Sequence, residues 1–157
     1  MTDLEVCNWA LLKLGDNAPP LTSLKDEKVT LNAGLCNLLL TLIHRSFLRT
    51  FIWNFAVRSV CLAPLSQKDE THYKLLPKKY LKVKTMGTEG ELRGDCIVVN
   101  SKSSSSFAIQ YIEEVALSDC DPIYQEAITC KLASELCPVL TTDSQLTLRL
   151  KKEKLKN

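Results

Sequence analysis

The sequence predicts a mainly α protein, a helical bundle carrying a small inserted antiparallel β-sheet. Three features lead there. Apolar residues recur at helical spacing over residues 1–50 and again over 119–157. At Phe51 the composition turns to aromatic and β-branched residues, which favour strands. From there to about residue 112, short alternating runs are separated by Gly87, Gly90 and Gly94. One domain of residues 1–157 accommodates the pattern, with the sheet as an insertion over about 51–112.

Thr2 and Glu5 have capping-box spacing, so each side chain can satisfy an amide at the start of a first helix. Leu4, Cys7, Leu11 and Leu14 form its apolar stripe, widened by Trp9 and Leu12. Gly15 ends it, and Pro19-Pro20 stiffen the connection. Ser23 and Asp26 are candidate caps for a second helix running from Asp26 to Arg49, roughly 35 Å long at helical rise. Its stripe is Val29, Ala33, Cys36, Leu40, Ile43 and Phe47. Leu35, Leu38, Leu39 and Leu42 make the flanking surface apolar too, more than one small domain can cover, so a partner subunit is expected there.

In FIWNFAVRSVCL the aromatics at alternate positions place Trp53 and Phe55 in a core, with Asn54 at a turn or bulge. SQKDETH is a polar loop, and YLKVKTM, GELRG, DCIVVN and FAIQYIEEV are further strands around a SKSSSS tip. Asp121 caps a helix that begins at Pro122, with Ile123, Ala127, Cys130, Ala133 or Ser134, and Cys137 facing inward. Pro138 breaks or kinks it, and Thr142 or Asp143 caps a last helix.

The chemistry these residues could support is narrow. The two histidines, His44 and His72, lie far apart, and neither sits at a zinc-ligand spacing from cysteines. His44, beside Arg45 on the second helix, reads as solvated or locally bonded. Seven dispersed cysteines form no C-x-x-C arm, and most read as small buried hydrophobes in a reducing cytosol. No Gly-rich phosphate loop or nucleophile elbow is present, and the expectation is neither an enzyme nor a cofactor or metal protein. The amino terminus lacks a secretory pattern, and no apolar run is long enough to predict a membrane span.

Charge is small in total, +2, yet segregated. Arg149, Lys151, Lys152, Lys154 and Lys156 face a single acid, Glu153, over residues 144–157. With Leu146, Leu148, Leu150 and Leu155 they suggest a docking tail, weakly ordered when free, whose leucines enter a partner groove while the lysines hold its acidic rim. The alternatives are a solvated helix end and a DNA-contacting tail. A basic run around Lys78, Lys79 and Lys82 and an acidic run with Glu113, Glu114 and Asp119 suggest opposite patches of a subunit interface. The chain therefore reads as a protein that binds other subunits. A helical regulatory or nucleic-acid-binding protein is the second reading, which a basic helix face and steep salt dependence would mark.

The order of short motifs extends this reading. Leu14-Gly15-Asp16 precede Pro19-Pro20 and Leu21-Thr22-Ser23-Leu24. A long helix then leads through Arg49 into Trp53-Asn54-Phe55-Ala56. A Tyr-x-Leu-Pro-type pattern spans Tyr73 to Val83, followed by Tyr111-Ile112, Pro122 and Leu132-Ala133. This order resembles the tail tubular protein A family of short-tailed phages and related head–tail adaptors, including those of prophage-like gene transfer particles. The resemblance implies a virion protein made in the bacterial cytoplasm, forming a ring with other copies of itself, twelve in such assemblies. The ring would sit beneath the portal protein, carry the tail nozzle protein and extend a channel through which DNA passes unread, with no membrane partner.

Overall fold

A computed structural model of the chain describes residues 1–15, 19–25, 30–65, 71–74, 79–86, 90–99 and 107–154, with side chains at those positions up to 140 except 71 and 74. It divides into two compact units, a helical one of Met1–His44 and Leu117–Asn157 and a sheet one of Arg45–Ala116.

In the helical unit, α1 (Asp3–Lys13) opens with the expected capping box: Glu5 N donates to Thr2 Oγ1 and Thr2 N to Glu5 Oε2. Gly15 follows its end with φ +74, a conformation that costs glycine nothing. The buried face is Val6, Cys7, Ala10 and Leu11, whereas Trp9 and Leu12 are exposed. Asn8, which periodicity did not single out, holds the following connection. Its amide donates to Leu21 O at 3.0 Å and accepts from Leu21 N at 2.7 Å. The second helix, α2 (Leu31–Thr50), whose residues from Arg45 on belong to the sheet unit, is capped by Thr30, whose hydroxyl accepts from Ala33 N. Of the two candidate caps, Ser23 stands apart from the helix, its hydroxyl accepting from Lys25 N, and Asp26 lies outside the described residues. Ala33, Cys36, Leu40 and Ile43 are buried as expected, and Phe47 is half-buried.

The third helix, α3 (Pro122–Lys154), starts at the Asp121 cap, with Ile123 N donating to Asp121 Oδ1 at 2.8 Å. It corrects two expectations. The helix runs unbroken through Pro138, so the segment beyond is its continuation and not a separate helix. The carbonyl that Pro138 leaves without an amide is that of Ser134, an exposed residue where water can replace the lost bond. The inward face is also rotated. Tyr124, Ile128, Leu132 and Leu136 are fully buried, while Ile123 is 73% exposed and Cys130 is on the surface. Buried Gln125 fixes that register, its Nε2 donating to Leu117 O and Cys120 O ahead of the helix, while buried Thr129 satisfies its Oγ1 within the helix on Gln125 O. Tyr124 Oη lies 2.8 Å from His44 Nδ1, so His44, expected to be solvated or locally bonded, is bonded instead to a residue of another helix.

The sheet unit corrects the fold class: the protein is α+β and not a mainly helical bundle. A 3₁₀ turn, Asn54–Ala56, occupies the junction where Asn54 was expected to interrupt the strand. Among the described residues seven strands follow: β1 (Val57–Leu62), β2 (Pro64–Leu65), β3 (Thr71–Lys74), β4 (Tyr80–Met86), β5 (Gly90–Arg93), β6 (Cys96–Val99) and β7 (Phe107–Glu113). They form two antiparallel sheets, ordered β1-β7-β4 and β2-β3-β6-β5. Leu62, Phe107 and Ile109 of the first pack with Tyr73, Ile97 and Val99 of the second, and the Tyr73 and Phe107 rings stack at 5.0 Å. This unit has its own two-layer core, which is why it is not a minor insertion. Strand β3 begins inside the stretch read as polar loop, at Thr71 and His72, and Tyr73 is its one apolar residue. The edge strand β4 is bulged twice and carries Lys82 and Lys84, features that discourage further strand pairing. Trp53 is half-buried among Phe47, Phe51 and Phe55, and its indole N–H donates to Phe47 O at the end of α2.

The register of α3 is directly testable. Leu132→Ala should destabilise the chain by about 2–5 kcal/mol, the usual range for a buried leucine. Ile123→Ala should change stability by under about 0.5 kcal/mol, as surface substitutions do. Chemical denaturation of the two variants checks this, and the reverse ranking would restore the inward face expected from the sequence.

Candidate assembly surface

One helix concentrates the unusual surface. The side of α2 opposite Ala33, Cys36, Leu40 and Ile43 carries a second row of leucines, with Leu31 75%, Leu38 60% and Leu42 59% exposed. Their spacing of seven and four residues keeps them on one side of a helix. Leu35 flanks them half-buried, and Arg45 and Arg49 continue the same side toward the helix end. Arg45 makes a loose ion pair with Glu114 at 3.6 Å between exposed groups, worth little in water. Burying an exposed leucine fully is worth up to about 3 kcal/mol, so this row is a store of unused association energy.

Gly34 lies among these leucines. A glycine inside a helix costs about 1 kcal/mol relative to alanine. Among the described residues nothing requires it, since a Cβ added there would meet no atom within 4 Å. A bare backbone patch beside projecting leucines is what a closely packed neighbouring helix uses.

The opposite side of α2 is ordinary core. Cys36 faces Cys7 of α1, and the hydrogen bond between the thiols, reinforced by burial, pushes Cys7 up, so it packs as a neutral hydrophobe and not as a nucleophile. Burial likewise pushes the Tyr124 phenol up, which keeps its hydroxyl neutral beside His44.

The charged residues singled out in the sequence are placed differently from the expected opposite patches. Strands β4 and β7 pair so that Tyr80 lies across from Glu113, and Glu114 N donates to Lys79 O at 2.7 Å. Lys82 and Glu113 therefore stand on paired strands of one sheet, with Lys79 and Glu114 bonded to each other just beyond the strand ends, and Glu113 is paired by Arg58 at 2.9 Å. Within that arrangement they are neighbours and not two separated patches. Asp119 belongs to a 3₁₀ turn of the helical unit, and Lys78 lies outside the described residues. Leu146, Leu148, Leu150, Lys151, Lys152 and Lys154 fall in the last turns of α3, where the backbone is described and the side chains are not; Leu155 lies outside.

The sheet unit also has an open trough of about 440 Å³, lined by small side chains of β1, β7 and β4 such as Ser59, Cys61, Ala108 and Thr85. Its lining has no acid, base or histidine. Among the described residues no three His, Cys, Asp or Glu side chains gather in a way that could hold a metal ion. Among the same residues, α2 is long and apolar enough to cross a bilayer, at a mean hydropathy of 1.2. Its buried stripe, however, packs as the core of the helical unit. Comparison with protein-family models and with curated proteins returned no match.

The cost of Gly34 gives a test. Gly34→Ala should raise the stability of the chain by about 0.5–1 kcal/mol, because the helix gains propensity and the methyl group meets nothing. Thermal unfolding measures it. A destabilised variant would mean that Gly34 serves the chain's own packing.

Proposed function

We propose that the chain is a structural adaptor subunit of a head–tail connector, assembling into a ring beneath a portal protein and presenting a platform for tail proteins. The observation that carries the reading is the exposed leucine row of α2, a surface suited to association and costly to leave in water. The order of motifs from Leu14-Gly15 to Leu132-Ala133, which resembles that of tail tubular adaptors, gives the association its biological setting. In this reading the protein performs no catalysis, other copies complete the ring, and DNA passes through the channel without sequence readout. The basic end of α3, Arg149 to Lys154, faces the portal, where leucines supply buried area and lysines select an acidic rim.

The test is to mix the purified chain with portal rings from the same genome and measure particle mass by gradient sedimentation. The expected result is a portal complex of higher mass, lost on deletion of residues 144–157 while the truncated protein keeps its cooperative unfolding. A chain that ignores portal rings but binds duplex DNA with steep salt dependence would overturn the adaptor reading in favour of a regulatory one.

A further inference from the structure

The chain itself carries a surface that matches the exposed side of α2. The outer side of α3 presents Ile123, Ala127, Cys130 and Ser134 at intervals of four, three and four residues, the spacing of a helix-pairing seam. After Ile123 these side chains are small, so the seam offers shallow seats where α2 offers projecting leucines. Both surfaces face solvent in the same copy: Leu38 and Leu42 on one, Ile123, Cys130 and Ser134 on the other.

Charge selects a direction. Arg45 and Arg49 lie toward the end of α2, and Asp119, Asp121 and Glu126 cluster at the start of α3. An antiparallel pairing brings the arginines to that acidic end while Leu42 and Leu38 cover Cys130 and Ser134. A parallel pairing would place the arginines beside Lys131 and the leucines beside the acids.

We infer that α2 of one copy docks antiparallel on the outer face of α3 of a second copy. The inference rests on the assembly reading of the α2 face and names its occupant. Because two different surfaces meet, the contact is heterologous and propagates from copy to copy, as a closed ring requires. Gly34 then has a use, since its bare backbone lets the two helices approach closely.

Disulfide trapping tests this in the full chain, with exposed Cys61 replaced by serine to remove background. Leu42→Cys, which the pairing seats on Cys130, is treated with diamide. The reagent takes up two hydrogens as two thiols join into one disulfide. The expected product is a ladder of dimer, trimer and higher species on a non-reducing gel, abolished by Cys130→Ser. Arg49→Glu should weaken the ladder at least tenfold, and adding Glu126→Arg should recover much of it. No cross-link, or a single dimer band that survives Cys130→Ser, overturns the inference, the latter showing α2 paired with its own copy. Absence of a ladder together with binding to phosphatidylcholine vesicles overturns it in favour of a membrane surface. Portal binding without a ladder would leave the adaptor reading standing and remove this contact; a ladder without portal binding would do the opposite.

Discussion

A twenty-residue helix with leucine on two opposite sides imposes the constraint on which the rest of this protein depends. One side of α2 is satisfied within the chain: Ala33, Cys36, Leu40 and Ile43 are buried, and His44 is bonded to Tyr124 of α3. The other side, Leu31, Leu38 and Leu42, remains in water. Hydrophobic burial has no direction, so it cannot by itself decide which row turns inward. Side-chain size and polar bonding decide it: small Ala33 and Cys36 allow close approach, and the neighbouring His44 finds a partner for its ring.

The same division of labour sets the register of α3. Ile123, Ala127 and Cys130 form a respectable apolar stripe in the sequence, yet they are not the core. Turning them inward would put Tyr124, Ile128 and Leu132 outside and would strand Gln125 without its carbonyl partners on Leu117 and Cys120. The observed rotation buries the larger residues and satisfies Gln125. The less apolar side then faces outward, lined by small residues.

Much of this was legible in the residues because it is local. The capping box of Thr2 and Glu5, the left-handed Gly15, the Asp121-Pro122 helix start and the buried stripe of α2 each follow from a few neighbouring side chains. What could not be read depends on distant partners. Short runs such as GELR and CIVV identify themselves as strands, but nothing in either shows that the strands form two sheets with a core of their own. That core is why the α+β architecture replaces the expected helical bundle. Pro138 illustrates the limit in the other direction: a local rule forecast a break, and an exposed turn of helix tolerated the missing bond. The assembly surface was legible in part, since the excess of leucine on α2 is visible in the sequence. Gly34 was not legible, because its meaning depends on there being empty space around it.

The claim at the centre of this account is that the outer leucine row of α2 exists to be covered. Sedimentation equilibrium of the wild-type chain and of Leu38→Glu over a range of concentrations tests it most directly. The expected result is a wild-type mass that rises above the monomer with concentration, a variant that stays monomeric, and unchanged unfolding of both. Equal behaviour of the two proteins, whether both associate or both remain monomers, would contradict the account.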